Sequence, residues 1–158
     1  MQQQLTGLLC EFATTIGLPE PDKLAGGAPF RVNGFTFAFG EQSKKQHASI
    51  LLFVDFGAIP DGNKAAVYYR LLRENYLEFP TRNGTYCVSS LTGNVVCARA
   101  LSVATLSVDM LTVTVAQLAE QAIWWQREYA DGREYVTPAP MRRPAFILPL
   151  RTRPSIVS

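Results

Sequence analysis

The segment AAVYYRLLRENYLEF, residues Ala65 to Phe79, predicts a helix with more apolar surface than one core-facing stripe requires. Val67, Leu71 and Leu72 supply an ordinary stripe at helical spacing. Further apolar and aromatic side chains spread around most of the remaining circumference: Tyr68, Tyr69, Tyr76, Leu77 and Phe79. One side of this helix can pack on its own sheet, and the segment leaves open what covers its second side.

Length and composition indicate one globular domain. The chain has 158 residues, of which 47% are hydrophobic and 18% are charged, values that suit a domain with a sizeable core. No apolar run approaches the roughly 20 residues that a membrane span needs. The N-terminal segment has neither the basic region nor the small-residue cleavage site of a secretion signal. We therefore expect a soluble cytoplasmic protein without a membrane span.

Cysteine and histidine usage gives no indication of a metal centre. Three cysteines, Cys10, Cys87 and Cys97, and the single histidine, His47, show no metal-ligand spacing. We interpret the cysteines as small, reduced core residues. No metal ion or other cofactor is expected.

Hydrophobic periodicity predicts an α+β domain with the element order α-β-β-β-α-β-β-α and a twisted antiparallel sheet. Leu5, Leu8 and Phe12 follow helical spacing in a first helix that ends at Gly17. Residues 19–28, with two prolines and two adjacent glycines, predict a loop. A last helix is predicted from Ser107 to about Tyr129.

Two hairpins lie between the first and last helices. Asn33-Gly34 is a strong hairpin turn, and strand alternation places Phe35, Phe37 and Phe39 on one face. The next strand is apolar on both faces, with Phe53 on the face opposite Leu52 and Val54, so it is either covered on both sides or has one face that awaits a partner. Asp61 is predicted to cap the helix that follows. The segments GTYCVSS and NVVCARA form the second predicted hairpin.

Charge and proline content divide the chain into a domain, residues 1–130, and a tail, residues 131–158. The domain has ten Lys and Arg against eleven Asp and Glu, a net charge of −1, whereas the tail has five Arg against two acids, a net charge of +3. Five of the ten prolines lie in the tail, so we expect it to be extended or disordered. A near-neutral domain is unlike a nucleic-acid-binding surface.

The sequence contains no recognisable set of catalytic groups, and we do not expect an enzyme. It has no phosphate-binding loop and no nucleophile elbow. Asp55 lies in an apolar strand, and a single carboxylate beside a turn is most simply a structural group. The prominent feature is instead the surplus of apolar surface, which favours contacts with other chains.

Several segments together resemble the Tir chaperone family of bacterial type III secretion chaperones. The resemblance spans roughly residues 5 to 130 and rests on five stretches of sequence: LTGLLCEFATTIGLP, LLFVDFGAIP, LLRENY, the G-x-Y … GNVV hairpin and LAEQAIWW. The Leu-Leu-x-x-Asn element of the family corresponds here to Leu71, Leu72 and Asn75. Members of the family are typically acidic, whereas this chain has a sequence pI near 8.5, owing to its basic tail.

The resemblance implies a cytoplasmic bacterial homodimer that binds the N-terminal chaperone-binding segment of a secreted effector. The effector segment is held extended and ready for export, without ATP and without catalysis. The second helix contributes to the dimer interface in many members, which assigns an interface role to Tyr68, Tyr69, Leu72 and Tyr76. This assignment also gives the second side of the helix a partner, because a two-fold interface is self-complementary.

The family's apolar patches on the first helix and the sheet predict the effector-binding surface. The corresponding residues are Leu5, Leu8, Phe12, Phe35, Phe37 and Phe53. An effector strand added at a sheet edge would supply main-chain hydrogen bonds. Three roles stay open for the tail: docking of its apolar segment AFILPL on the dimer, recruitment of the export machinery, or no role. Two alternative functions also stay open, a small-ligand binder with a lipid-like pocket and a non-secretory adaptor.

Overall fold

A computed structural model describes residues 2–44, 47–78 and 84–130. These residues form a five-stranded antiparallel sheet in the order β1-β2-β3-β5-β4, with helices before, between and after the strands. The predicted α+β class and antiparallel sheet are confirmed. The helices and strands are α1 (Gln2–Thr15), α2 (Pro21–Ala25), β1 (Phe30–Val32), β2 (Phe35–Lys44), β3 (His47–Gly57), α3 (Lys64–Glu78), β4 (Thr85–Val88), β5 (Val95–Ser102) and α4 (Val108–Trp125).

Successive side chains along each strand point to opposite faces of the sheet, and one of these two faces is buried. In β2, Phe35, Phe37 and Phe39 all point to this face, as predicted, and pack in or against the core. Phe37 lies opposite Val54 of β3, and both side chains are completely buried. Helices cover this face because it carries the continuous apolar surface of the central strands.

Aromatic contacts attach α1 and α4 to the buried face. The Phe12 ring of α1 lies 6.0 Å from Phe30 and 6.4 Å from Phe39, edge to face in both pairs. Trp125 at the end of α4 lies 5.8 Å from Phe56 of β3. Such pairs add about 1 kcal/mol each to the free energy of burial, so they fix where the two helices sit on the sheet.

Helix α3 is held along the edge strand β4 by one side chain. The Asn75 Oδ1 atom accepts a hydrogen bond from the Tyr86 backbone N–H at 2.7 Å, and its Nδ2 donates to the Tyr86 carbonyl at 2.9 Å. The amide of Asn75 therefore replaces a neighbouring strand at this point of the sheet edge. Val67 and Leu71 complete the attachment by inserting into the core.

The opposite flank of α3 is joined to the end of α4. The Arg70 guanidinium donates from Nε to Glu74 Oε1 at 3.0 Å. Its central carbon lies 5.5 Å from the Trp124 ring centre and 4.9 Å from that of Tyr129. Tyr129 belongs to a π-helical turn, Gln126–Ala130, that continues α4 close to the predicted end of the helix. Asn75 on one side and Arg70 on the other thus fix the rotation of α3 about its axis. The face of α3 that points away from the sheet is fixed as a result.

Two local predictions were wrong. The predicted loop over residues 19–28 contains the short helix α2, because Pro21 suits a first helical turn and Leu24 is buried. Asp61 does not cap α3, since that helix begins at Lys64. The Asp61 carboxylate instead forms an ion pair with Lys64 Nζ at 2.8 Å, which lowers the pKa of Asp61 through a hydrogen bond and charge attraction.

The cysteines are free thiols in three different environments. Cys97 is a core residue, as predicted, and burial raises the pKa of its thiol to about 12. Cys10 is partly buried, and Cys87 is exposed, so the prediction of a core position is wrong for Cys87. The difference follows from the strand register, which places Cys97 opposite Tyr86 on the helix-covered side and Cys87 one residue further, on the other side.

The Asn75 bridge makes a specific prediction for stability. We expect Asn75→Ala to lower the free energy of unfolding by about 1–3 kcal/mol, because both backbone groups of Tyr86 lose their partner. Arg73→Ala, at a partly exposed position on the same helix, is the control and should change it by less than about 0.5 kcal/mol, as is usual for surface substitutions away from such contacts. Urea denaturation of the two variants provides the measurement. Equal midpoints would show that Asn75 does not hold the helix to the strand.

Candidate protein-interaction surfaces

The outer face of α3 is an exposed apolar strip. Tyr69, Leu72 and Tyr76, at positions i, i+3 and i+7 of the helix, are 60%, 68% and 70% exposed. Tyr68, the fourth residue predicted to lie in a dimer interface, is partly buried and packs against the core. Three of the four predicted residues therefore lie together on one accessible surface, which we call the α3 strip.

A groove runs beside the α3 strip, between α3 and the edge strand β4. Its volume is about 490 Å³. Val88, which is 45% exposed, and the exposed Cys87 form its β4 side. Leu72 belongs to both the groove and the strip, so the two are continuous. The lining residues are Tyr68, Leu71, Leu72, Asn75, Tyr86, Cys87 and Val88.

The groove also contains main-chain hydrogen-bonding groups. Both backbone groups of Tyr86 point away from β5, toward Asn75. Because the direction of these groups alternates along an antiparallel strand, Val88 presents its N–H and C=O to the same side. The groove can therefore receive both apolar side chains and a hydrogen-bonded backbone.

The predicted effector-binding residues are divided by the sheet. Leu5 and Leu8 are partly exposed on α1, on the helix-covered side. Phe12, Phe35 and Phe37 fill the core, with 0%, 7% and 0% of their surface exposed. A partner cannot reach these three side chains while the subunit keeps this fold.

Phe53 lies on the opposite, open face of the sheet. It pairs with Ala38 of β2 and Ala98 of β5, so its two cross-strand neighbours have small side chains. A Cβ atom on Gly40 would come within 2.8 Å of the Phe53 ring, which shows that the ring lies flat across β2. The partly exposed ring is thus accessible from the neighbouring strands across the small side chains of Ala38 and Ala98.

Sequence reasoning missed the exposed apolar side chains outside α3. Met110, Val113 and Trp124 are 45%, 56% and 41% exposed along α4, and Leu91 in the β4–β5 turn is 94% exposed. The spacing of the α4 residues, opposite the buried stripe of that helix, was a signal that could have identified them. Val88 gave no such signal, because its exposure depends on where the sheet ends.

The structure assigns a structural role to Asp55, in agreement with the sequence. Its Oδ1 accepts from the Gly57 N–H at 2.8 Å, and both carboxylate oxygens accept from Asn94 Nδ2 at 3.0 Å. These bonds join the end of β3 to the β4–β5 turn. Within residues 2–44, 47–78 and 84–130, no three His, Cys, Asp or Glu side chains are grouped to hold a metal ion. No helix in the same ranges has the length and apolarity needed to cross a membrane.

Two solved structures have the same fold. One, the crystal structure of the ExsC–ExsE complex, contains a chain 23% identical that aligns with a TM-score of 0.63 over 80% of this chain and 94% of that chain. The other, the HopA1–SchA chaperone–effector complex, contains a chain 16% identical, with a TM-score of 0.58 over 80% of this chain and 95% of that chain. No curated protein matches the sequence.

The sequence also matches a family model directly, over residues 7–126. The matched region begins within α1 and ends just after α4, so it includes the whole sheet and all four helices apart from the first five residues of α1. The match covers most of the chain, and the chain therefore belongs to the Tir chaperone protein (CesT) family.

Proposed function

We propose that this protein is a cytoplasmic chaperone that binds the N-terminal chaperone-binding segment of a type III secreted effector and keeps it extended for export. The observation that carries the proposal is the family match over residues 7–126. The HopA1–SchA structure, which is named as a chaperone–effector complex, contains a chain of the same fold and supports the proposal. Binding alone accomplishes this function, which therefore requires no catalysis and no cofactor.

The proposed functional unit is a homodimer formed through the α3 strip and the adjoining groove. Tyr69, Leu72 and Tyr76 are large apolar or amphipathic side chains in a row, the composition favoured at the centre of protein interfaces. A second copy can place its own strip against this one, since a two-fold contact is self-complementary. The Leu72 side chain of each subunit would then have access to the groove of the other.

The effector segment is proposed to pass around the β1 edge of the sheet. Leu5 and Leu8 lie on the helix side of this edge, because Phe12 of the same helix contacts Phe30 of β1. Phe53 lies on the open side. An extended segment can contact both surfaces if it crosses β1, where an added strand would also gain main-chain hydrogen bonds. Crossing the β1 edge would let one effector segment reach both faces of the sheet.

A single charge in the α3 strip should separate the subunits. We expect Leu72→Asp to convert a particle of twice 17.5 kDa into one of 17.5 kDa, because an aspartate in an apolar interface loses its hydration. Val113→Asp, at an exposed apolar position on α4, is the matched control and should leave the mass unchanged. Light scattering of the full-length variants measures both. A wild-type monomer, or a Leu72→Asp dimer, would contradict the proposed interface.

Effector binding should depend on both sides of the β1 edge. We expect Phe53→Ser and Leu8→Ser each to weaken binding of the N-terminal effector segment by about tenfold, the cost typical of losing one important contact residue. Calorimetric titration with the N-terminal segments of the proteins encoded by neighbouring genes, tested one by one as candidate effectors, provides the measurement. Both variants should remain dimers, and Val113→Asp should bind normally. If neither variant weakened binding, the proposed path of the effector would be wrong.

A further inference from the structure

An open cavity of about 500 Å³ lies between α3, α4 and the strands β4 and β5. It shares Tyr86 with the groove beside the α3 strip, and its other described lining residues are different. The volume is within the range of sites that hold small molecules. The function proposed above makes no use of this cavity.

Arg99 of β5 brings a positive charge into the cavity from the sheet. It pairs with Leu52 of β3, which is completely buried, so both side chains point to the helix-covered face. Arg99 is partly buried, and its Nη1 donates to Gln117 Oε1 of α4 at 3.3 Å. The amide oxygen of Gln117 has no net charge, so this hydrogen bond does not neutralise the guanidinium.

The charge of Arg99 has no counterpart in the described part of the chain, where no carboxylate forms an ion pair with it. Glu74 lines the same cavity, but its carboxylate is bound by Arg70 Nε at 3.0 Å. A guanidinium has five N–H donors, so Arg99 has donors left for an anion after it binds Gln117. Because Arg70 and Glu74 compensate each other, the net charge of the three groups is about that of one cation.

The walls beside Arg99 are partly apolar. Leu118 is buried and Trp124 is 41% exposed, and both line the cavity from α4. Gly84 directly precedes Thr85, which pairs with Ala98, and therefore lies beside Arg99. A Cβ atom at position 84 would lie 2.6 Å from Cys97 Sγ, so the wall consists of bare main chain at this point.

We infer that this cavity binds a carboxylate group joined to an apolar body. The carboxylate receives two parallel hydrogen bonds from Arg99, the geometry for which a guanidinium is suited. The apolar body lies against Leu118 and Trp124. A singly charged carboxylate suits the site better than a phosphate, because the site has one uncompensated positive charge and the Glu74 carboxylate repels further negative charge.

An NMR titration of the full-length, isotope-labelled protein tests the inference. The chain has two tryptophans, of which Trp124 lines the cavity and Trp125 is completely buried, so one indole N–H signal is the reporter and the other is the reference. We expect phenylacetate to shift the Trp124 signal in a saturable manner. Phenylacetamide, a neutral molecule of the same shape, should bind at least tenfold more weakly, because it lacks the charge that Arg99 recognises.

Substitutions assign the binding to Arg99. We expect Arg99→Gln to weaken phenylacetate binding at least tenfold and Arg99→Lys to weaken it less, because lysine keeps the charge but not the planar fork. Arg73→Gln, a partly exposed arginine of α3 that does not line the cavity, is the matched control and should bind normally. Circular dichroism establishes that each variant is folded.

Gln117→Glu provides a second test that retains Arg99. This exposed position tolerates the change, and the new carboxylate would pair with the guanidinium in place of the ligand. We expect phenylacetate to bind about tenfold more weakly to this variant. The result stands even if Arg99→Gln does not fold.

The carboxylate can belong to a free small acid or to an acidic side chain of a protein segment. Phenylacetate represents the first source and the blocked peptide acetyl-Leu-Glu-Leu-amide the second, and the probe that binds more tightly identifies the source. Equal binding of phenylacetate and phenylacetamide, unchanged binding in both Arg99→Gln and Gln117→Glu, or no saturable shift with either carboxylate would overturn the inference. None of these measurements involves an effector or the α3 interface, so their outcome leaves the proposed function untouched.

Discussion

The arrangement of the molecule depends on the attachment of α3 to the edge of the sheet. Asn75 satisfies both backbone groups of Tyr86, and Arg70 joins the other flank of the helix to the aromatic rings of Trp124 and Tyr129. These two attachments fix the rotation of α3 about its axis. Tyr69, Leu72 and Tyr76 must then face outward, and the groove beside β4 must remain open.

The attachment of α3 to the sheet explains why the additional apolar side chains of this helix are not buried in the core. Among the α3 side chains that the structure describes, Val67 and Leu71 are buried in the core, whereas the row of Tyr69, Leu72 and Tyr76 is exposed to solvent. A large row of this kind on a single domain is typical of a protein-interaction surface. Membership of the Tir chaperone protein family is consistent with that interpretation.

The sequence predicted the elements better than it predicted the accessible residues. Helical spacing and the Asn33-Gly34 turn are local signals, and the structure has the corresponding helix and hairpin. The burial of Phe37 and the partial exposure of Phe53 depend instead on which face of the sheet the helices cover. That choice is made by tertiary packing, and Phe53 lies in a strand that is apolar on both faces, so the local pattern does not show which face is covered. The sequence analysis did not predict helix α2 for a similar reason. This five-residue helix is stabilised by the burial of Leu24 in the core, and local sequence does not reveal that burial.

The central claim is that two copies of this chain act together on one extended effector segment. The most direct measurement is the mass of the complex between the full-length protein and the N-terminal effector segment, determined by native mass spectrometry. The account predicts two chains of 17.5 kDa with one effector segment. A complex with one chain per segment, or no complex at all, would contradict it.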